Sequence, residues 1–153
     1  MKKYTTITDI TNLSETIKEG ISLKNNPFEF SELGKNKTLV MLFFNSSLRT
    51  RLSTEKAAKN LGMNVMVLNV NDAWNLEYEN GTVMSLDTAE HIKEACQVLS
   101  QYADIIAVRA FPDLKNKEKD ESEFMLNSFI KYATVPIISM ESATEHPLQA
   151  LAD

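Results

Sequence analysis

Three short stretches of this 153-residue chain carry side chains whose types and spacing could do chemistry. The first is Asn45-Ser46-Ser47-Leu48-Arg49-Thr50-Arg51, set between an apolar run and a helical pattern. Free N–H groups at a helix start, hydroxyls and a guanidinium together make an anion pocket. The plainer alternative is that Ser46 or Ser47 only caps the helix and the arginines are solvated. The stretch is not a nucleotide P-loop, because the pattern G-x-x-x-x-G-K-S/T is absent. The second candidate is Arg109, directly after Ile105-Ile106-Ala107-Val108. A guanidinium ending a buried strand is costly to leave unpaired, and Asp104 or Asp113 would satisfy it without any ligand. The third is His146 with Gln149, a step of three at a helix start that turns both side chains to one side. Histidine can donate to a developing oxyanion and glutamine can accept from an amide. Trp74, the single tryptophan, lies in the polar stretch Asn71-Asp72-Ala73-Trp74-Asn75 and reads as a loop anchor or a subunit contact. His91, inside a helical pattern, reads as a surface or packing residue.

These residues gain weight from the elements that must position them. The continuous run Thr38–Phe44 is expected for a strand buried on both faces. Val65–Leu68, Ile105–Val108 and Val135–Met140 are three more, with Pro136 suited to a strand start. Helical stripes lie between them. Thr54, Ala57, Ala58 and Leu61 form one, with Gly62 as a stop. Ile92, Ala95, Cys96 and Leu99 form the next, behind a capping box of Asp87 and Glu90. Met125, Phe129 and Tyr132 form a third, started by Asp120 and Glu123. Ile10, Leu13, Ile17 and Ile21 mark a helix ahead of the first strand. This alternation predicts an α/β fold: a parallel sheet of about four strands with helices on both faces. Two loops are long, Asn69 to Asp87 and Phe111 to Lys119, as functional loops often are. In open sheets of this kind ligands bind outside the carboxyl ends of the strands. Arg49, Thr50, Arg109, His146 and Gln149 all fall just after proposed strand ends, and so does Trp74.

Composition narrows the ligand. The net charge is −5, which leaves no electrostatic footprint for nucleic acid or an anionic membrane. The sixteen basic residues are thirteen lysines and only three arginines, Arg49, Arg51 and Arg109. An acidic chain that concentrates its planar forks near strand ends suits a small anion. The single Cys96 excludes an internal disulfide framework and a cysteine-cluster zinc site. The Met1-Lys2-Lys3 start is not followed by an apolar run, and no stretch approaches the roughly 18 apolar residues of a spanning helix. A soluble cytoplasmic protein is the expectation.

At this point the motifs resemble a known family. Ser47-Leu48-Arg49-Thr50-Arg51 is similar to the Ser-Thr-Arg-Thr-Arg carbamoyl-phosphate motif of the aspartate and ornithine carbamoyltransferases. His146-Pro147-Leu148-Gln149 matches that family's His-Pro-x-Gln, and Arg109 falls where a third phosphate- and carbonyl-binding group is expected. The resemblance covers nearly the whole chain. It implies that residues 1–146 form the carbamoyl-phosphate-binding domain and that 147–153 open an interdomain helix, the second, acylornithine-binding domain being absent from this chain. It further implies a homotrimer with active sites between neighbours, and no metal or other cofactor. Leu48 in place of threonine, and Ala73-Trp74 where other members reach across with serine and lysine, depart from the common pattern. With Gly81-Thr82-Val83-Met84 and Glu90-His91 they look like the branch acting on N-acylated ornithine in arginine biosynthesis. At Ala89 the acetyl enzymes carry glutamate and the succinyl enzyme proline. Alanine there would not repel a succinyl carboxylate, and Glu141–Gln149 looks more like the succinyl type, so N-succinylornithine is favoured over N-acetylornithine.

The resemblance implies a role for each residue. Ser47, the Leu48 backbone, Arg49 and Thr50 would hold the phosphate, and Trp74 of a neighbouring subunit would close the pocket. Arg109, His146 and Thr50 would bond the carbonyl oxygen, and Gln149 would orient the carbamoyl amide. Two competing expectations remain: a non-catalytic module that only binds carbamoyl phosphate or phosphate, and a carbamoyltransferase using ornithine or aspartate.

Overall fold

The computed structural model describes residues 2–70, 74–78, 90–112 and 114–153. Asp87, Ala89, Asp113, Asn71–Ala73 and Gly81–Met84 therefore lie outside the described residues. The chain runs β1 (Lys3–Tyr4), a 3-10 turn at Ile7–Asp9, α1 (Leu13–Asn25), β2 (Thr38–Phe43), α2 (Leu48–Asn60) and β3 (Asn64–Asn69). It continues through β4 (Leu76–Glu77), β5 (Glu90–His91), α3 (Ile92–Tyr102) and β6 (Ile105–Arg109). The last elements are α4 (Lys117–Glu121), α5 (Phe124–Tyr132), β7 (Ile137–Glu141) and α6 (Pro147–Ala152).

The main sheet has five parallel strands in the order β1-β7-β6-β2-β3, and β4 and β5 form a separate two-stranded ladder. The expected sheet is thus present with one strand more. The addition, β1, is two residues long and pairs Lys3 and Tyr4 with Ile137 and Ile138, too short to leave an apolar run. The order also shows a switch point. From β2 the chain first moves outward to β3, then crosses back to build β6 and β7 on the other side. The crevice at such a reversal, between β2 and β6, is where open sheets hold ligands.

Period-two alternation assigns each sheet residue to a face. Val40, Leu42, Phe44, Ile106, Val108 and Ala110 pack with Cys96, Leu99, Leu126 and Phe129, from α3 and α5. Leu39, Met41, Phe43 and Ala107 pack on the opposite side with Ala58 of α2 and, at the rim, Leu148 of α6. Burial pushes the Cys96 thiol up to about 12, so it fills the core as an inert thiol.

Three expected element starts are corrected. The helix ahead of β2 begins at Leu13 and leaves Ile10 outside, because the Asn12 side chain takes the Glu15 N–H at 3.2 Å. Its stripe of Leu13, Ile17 and Ile21 is exposed, and no residue of α1 is buried. Helix α3 is capped by His91, whose Nδ1 accepts from Lys93 N at 3.1 Å, in place of the Asp87–Glu90 box. The third stripe, Met125, Phe129 and Tyr132, lies wholly in α5, but Asp120 belongs to the separate helix α4, since Glu123 between the two takes a left-handed backbone with φ 51.

Gly62 does stop α2, with φ 83. An added Cβ would meet the Ser31 carbonyl oxygen at 2.0 Å, so both conformation and space demand glycine. Gly62→Ala is expected to cost about 2 kcal/mol or more, beyond the gain such a change brings at a permissive site. Urea denaturation checks this, and an unchanged midpoint would contradict it.

Candidate functional site

Strands β7, β6 and β2 are consecutive neighbours, and all three end on the same edge. Arg109, the last residue of β6, pairs in register with Phe43 of β2 and Glu141 of β7, with an irregularity after Val108 on the β7 side. Its side chain is 11% exposed. One terminal nitrogen donates to the carbonyls of Asn45 and Ser46 at 3.2 and 3.4 Å. The other lies 2.8 Å from a Glu141 carboxylate oxygen. Of the two expected partners, Asp104 is corrected, since it sits at the opposite end of the sheet and accepts from Thr38 N at 2.8 Å; Asp113 lies outside the described residues. Arg109 Nε is buried without an acceptor, a desolvated donor that costs about 1–3 kcal/mol. Asn45 completes the tie between the two loops, its side-chain oxygen accepting from Phe111 N at 2.9 Å.

The loop that Arg109 grips leads directly into α2. Ser47 is the cap: its Oγ donates to Thr50 Oγ1 at 3.0 Å and accepts from Thr50 N at 3.4 Å. As in any α-helix, the first-turn N–H groups of Leu48 and Arg49 have no partner inside the helix, and the dipole favours an anion there. The Leu48 side chain is 73% exposed, which leaves its backbone as the contributing part. The two arginines of the motif divide their work. Arg51 lies over the Phe43 ring at 4.7 Å and bonds Asn69 on the neighbouring strand. Arg49 is exposed and forms no ion pair among the described residues. The plainer reading thus holds for Ser47 as the cap and for Arg49 as an exposed side chain, and is corrected for Arg51, which is packed and hydrogen-bonded.

His146 caps α6 through Nδ1, which accepts from Gln149 N at 3.3 Å. Nδ1 is thereby the acceptor nitrogen, so neutral His146 carries its proton on Nε2. That nitrogen is 4.0 Å from the same Glu141 carboxylate that holds Arg109. The Gln149 carboxamide is turned along its helix to Asp153 at 2.6 Å, away from the residues just described. Trp74 is packed against its own chain's core, and its indole N–H donates to Glu90 at 3.1 Å.

Sequence reasoning missed Glu141 as a site residue. Its only signal was a carboxylate ending one strand beside an arginine ending the next, and adjacency of those strands is not visible before folding. It also missed a cavity of about 510 Å³ beside the strand ends, whose lining includes Phe44, Asn45, Tyr78, Phe111, Glu123 and Ala143. No group of His, Cys, Asp and Glu suited to a metal occurs among the described residues, nor does a helix long and apolar enough to cross a membrane.

A buried arginine, a helix N-terminus with a free arginine, and an imidazole thus lie together beside adjoining strand ends, an arrangement whose donors suit a small anion. Comparison agrees with that chemistry. Residues 2–153 match the family model described as aspartate/ornithine carbamoyltransferase, carbamoyl-P binding domain. The chain belongs to this family. It is 53% identical over 154 residues to an N-succinylornithine carbamoyltransferase of Bacteroides fragilis (strain 638R), covering 100% of this chain and 48% of that protein. It is 46% identical over 129 residues to an N-acetylornithine carbamoyltransferase of Xylella fastidiosa (strain Temecula1), covering 82% of this chain and 38% of that one. Among solved structures, acetylornithine transcarbamylase complexed with acetylcitrulline superposes with a TM-score of 0.91 at 40% identity, over 99% of this chain and 46% of that chain. The chain thus spans about half or less of the length of these curated relatives.

The division of labour at the helix start is testable on stability alone. Arg51→Ala should cost roughly 1 kcal/mol through loss of the Phe43 stack and the Asn69 bond. Arg49→Ala should stay within about 0.5 kcal/mol of the parent, as for a surface change away from packing. Equal losses in denaturant titrations would contradict the assignment.

Proposed function

We propose that this domain binds carbamoyl phosphate for transfer of the carbamoyl group to the amine of an N-acylated ornithine, N-succinylornithine before N-acetylornithine. The single observation that carries the reading is Arg109 bound to the Asn45 and Ser46 carbonyls and to Glu141. That grip sets a fixed cation directly beside the N-terminus of α2. The similarity to both kinds of acylornithine enzyme supports the acceptor class. The higher identity to the Bacteroides succinyl enzymes, over the full chain, supports the succinyl preference.

In this reading Ser47, Leu48 N–H, Arg49 and Thr50 receive the phosphate. Arg109, His146 Nε2–H and the Thr50 hydroxyl face the carbonyl oxygen, where negative charge grows as the amine attacks and phosphate leaves. Gln149 turns from Asp153 to orient the carbamoyl amide. Residues 1–146 act as the carbamoyl-phosphate domain, and 147–153 lead toward an acceptor-binding half of the kind the longer relatives carry. Trp74, half-buried in its own chain, presents its remaining face to a neighbour's pocket in a homotrimer. The setting is arginine biosynthesis in the cytoplasm. Rate comes from holding two substrates in a near-attack pair and from fixed donors at the oxyanion.

Calorimetric titration of the domain with carbamoyl phosphate tests the pocket. Arg49→Ala should weaken binding by roughly 10- to 100-fold, the scale of a charge-assisted bond. In the intact two-domain subunit, assayed in parallel with N-succinylornithine, N-acetylornithine, ornithine and aspartate, the succinyl compound should give most product. His146→Ala should lower kcat by about 100-fold or more while carbamoyl-phosphate binding changes by less than about threefold. Product with ornithine or aspartate alone would overturn the acceptor assignment.

A further inference from the structure

Glu123 has no place in the mechanism above, yet its surroundings are unusual. It takes a left-handed backbone, φ 51 and ψ 35, which is strained for any residue with a Cβ. It sits at the cap position of α5 but makes no capping bond with its side chain. The carboxylate instead reaches across to the loop after β7. Ser142 Oγ donates to it at 2.7 Å, Ala143 N at 3.3 Å, Thr144 N at 2.8 Å and Thr144 Oγ1 at 2.7 Å. Donors from three consecutive residues thus converge on one carboxylate, close to its full acceptor capacity.

The loop it holds leads to His146. Ser142 is buried. Its N–H donates to the Glu145 carbonyl at 2.9 Å, and its Oγ accepts from Glu145 N at 3.2 Å. Residues 142–145 are therefore a closed turn, pinned from outside by Glu123, that delivers the imidazole to the start of α6. The helix cap sets the tautomer through Gln149 N, and the turn sets where the ring begins. Both are needed for Nε2–H to face a substrate oxygen, since hydrogen-bond catalysis is sensitive to sub-ångström placement.

We propose that Glu123 is a positioning residue for His146: its carboxylate fixes the 142–145 turn, which holds the imidazole where Nδ1 can accept from Gln149 N, and so keeps the tautomer that this cap sets and the aim of the ring. A carboxylate at this spot accounts for a strained backbone at a position where glycine would sit without strain. The inference rests on the role given to His146 under Proposed function.

The test uses the 153-residue chain labelled with 15N-histidine, whose only two imidazoles are His91 and His146. His91, which caps α3 in the same manner, is the internal reference. In the parent, His146 should show the nitrogen shifts of the Nε2–H tautomer near neutral pH. In Glu123→Ala they should move toward the averaged values of free imidazole while those of His91 stay. Amide exchange at Ala143 and Thr144 should rise by about tenfold or more. Glu123→Gln keeps one acceptor oxygen and should recover part of the signature, and Thr144→Val, which removes one donor, should give a smaller shift in the same direction. A folded Glu123→Ala with the parent's His146 shifts would overturn the proposal. If that variant does not fold, unchanged His146 shifts in both Glu123→Gln and Thr144→Val would do the same. Carbamoyl phosphate is titrated into the parent alongside. Absence of binding there would overturn the carbamoyl-phosphate reading, whatever Glu123 does to the imidazole.

Discussion

A guanidinium that is nine-tenths buried has to be neutralised where it stands, and the two terminal nitrogens of Arg109 find partners only by drawing three separate parts of the chain together. Its acceptors are the backbone of the β2–α2 loop and the carboxylate ending β7. The sheet ladder sets these strand ends side by side, and the guanidinium ties the loop after β2 to the carboxylate ending β7. The ion pair is weak evidence for stability. Its consequence is geometric, a fixed cation between a helix N-terminus and an imidazole.

The sheet supplies the rigid support that such placement needs. β2 and β6 are buried between α3 and α5 on one face and α2 with α6 on the other, with alternate residues committed to each. A one-residue slip of β6 would carry Arg109 to the opposite face and its apolar neighbours toward the wrong helices. The packing of Ile106, Ala107 and Val108 therefore sets the register on which the site depends. On this base the loops are held by polar contacts, Asn45 to Phe111 on one side and Glu123 to the 142–144 backbone and hydroxyls on the other.

The same economy appears at the helix start. Ser47 and Thr50 bond one another, Arg51 is spent on Phe43 and Asn69, and the Arg49 side chain is left exposed. His146 divides likewise between its two nitrogens, Nδ1 committed to the Gln149 amide and Nε2 lying 4.0 Å from the Glu141 carboxylate.

Much of this was legible in the residues alone. Apolar runs at 38–44, 65–68, 105–108 and 135–140 located four strands, although β3 at the edge leaves Met66 and Leu68 exposed while the central β2 and β6 are buried on both faces. Gly62 marked the stop of α2, because only glycine meets a positive φ against the Ser31 carbonyl. The strand-end rule placed Arg49, Thr50, Arg109 and His146 on one edge. What local pattern does not contain is which strands are neighbours, and so the partner of Arg109 was sought among Asp104 and Asp113 when it is Glu141, 32 positions away by residue number. The left-handed Glu123, the split of α4 from α5, and β1 are of the same kind: each is stabilised by a contact distant in sequence, with the turn after β7 or the edge of β7 itself. The amino-acid sequence by itself determined the elements, the faces they bury and the residues able to hold an anion, since these depend on short-range periodicity and side-chain chemistry. Only the tertiary structure decided which of those residues are committed to packing and which are free, because hydrogen-bond partners are allotted by strand order and loop closure.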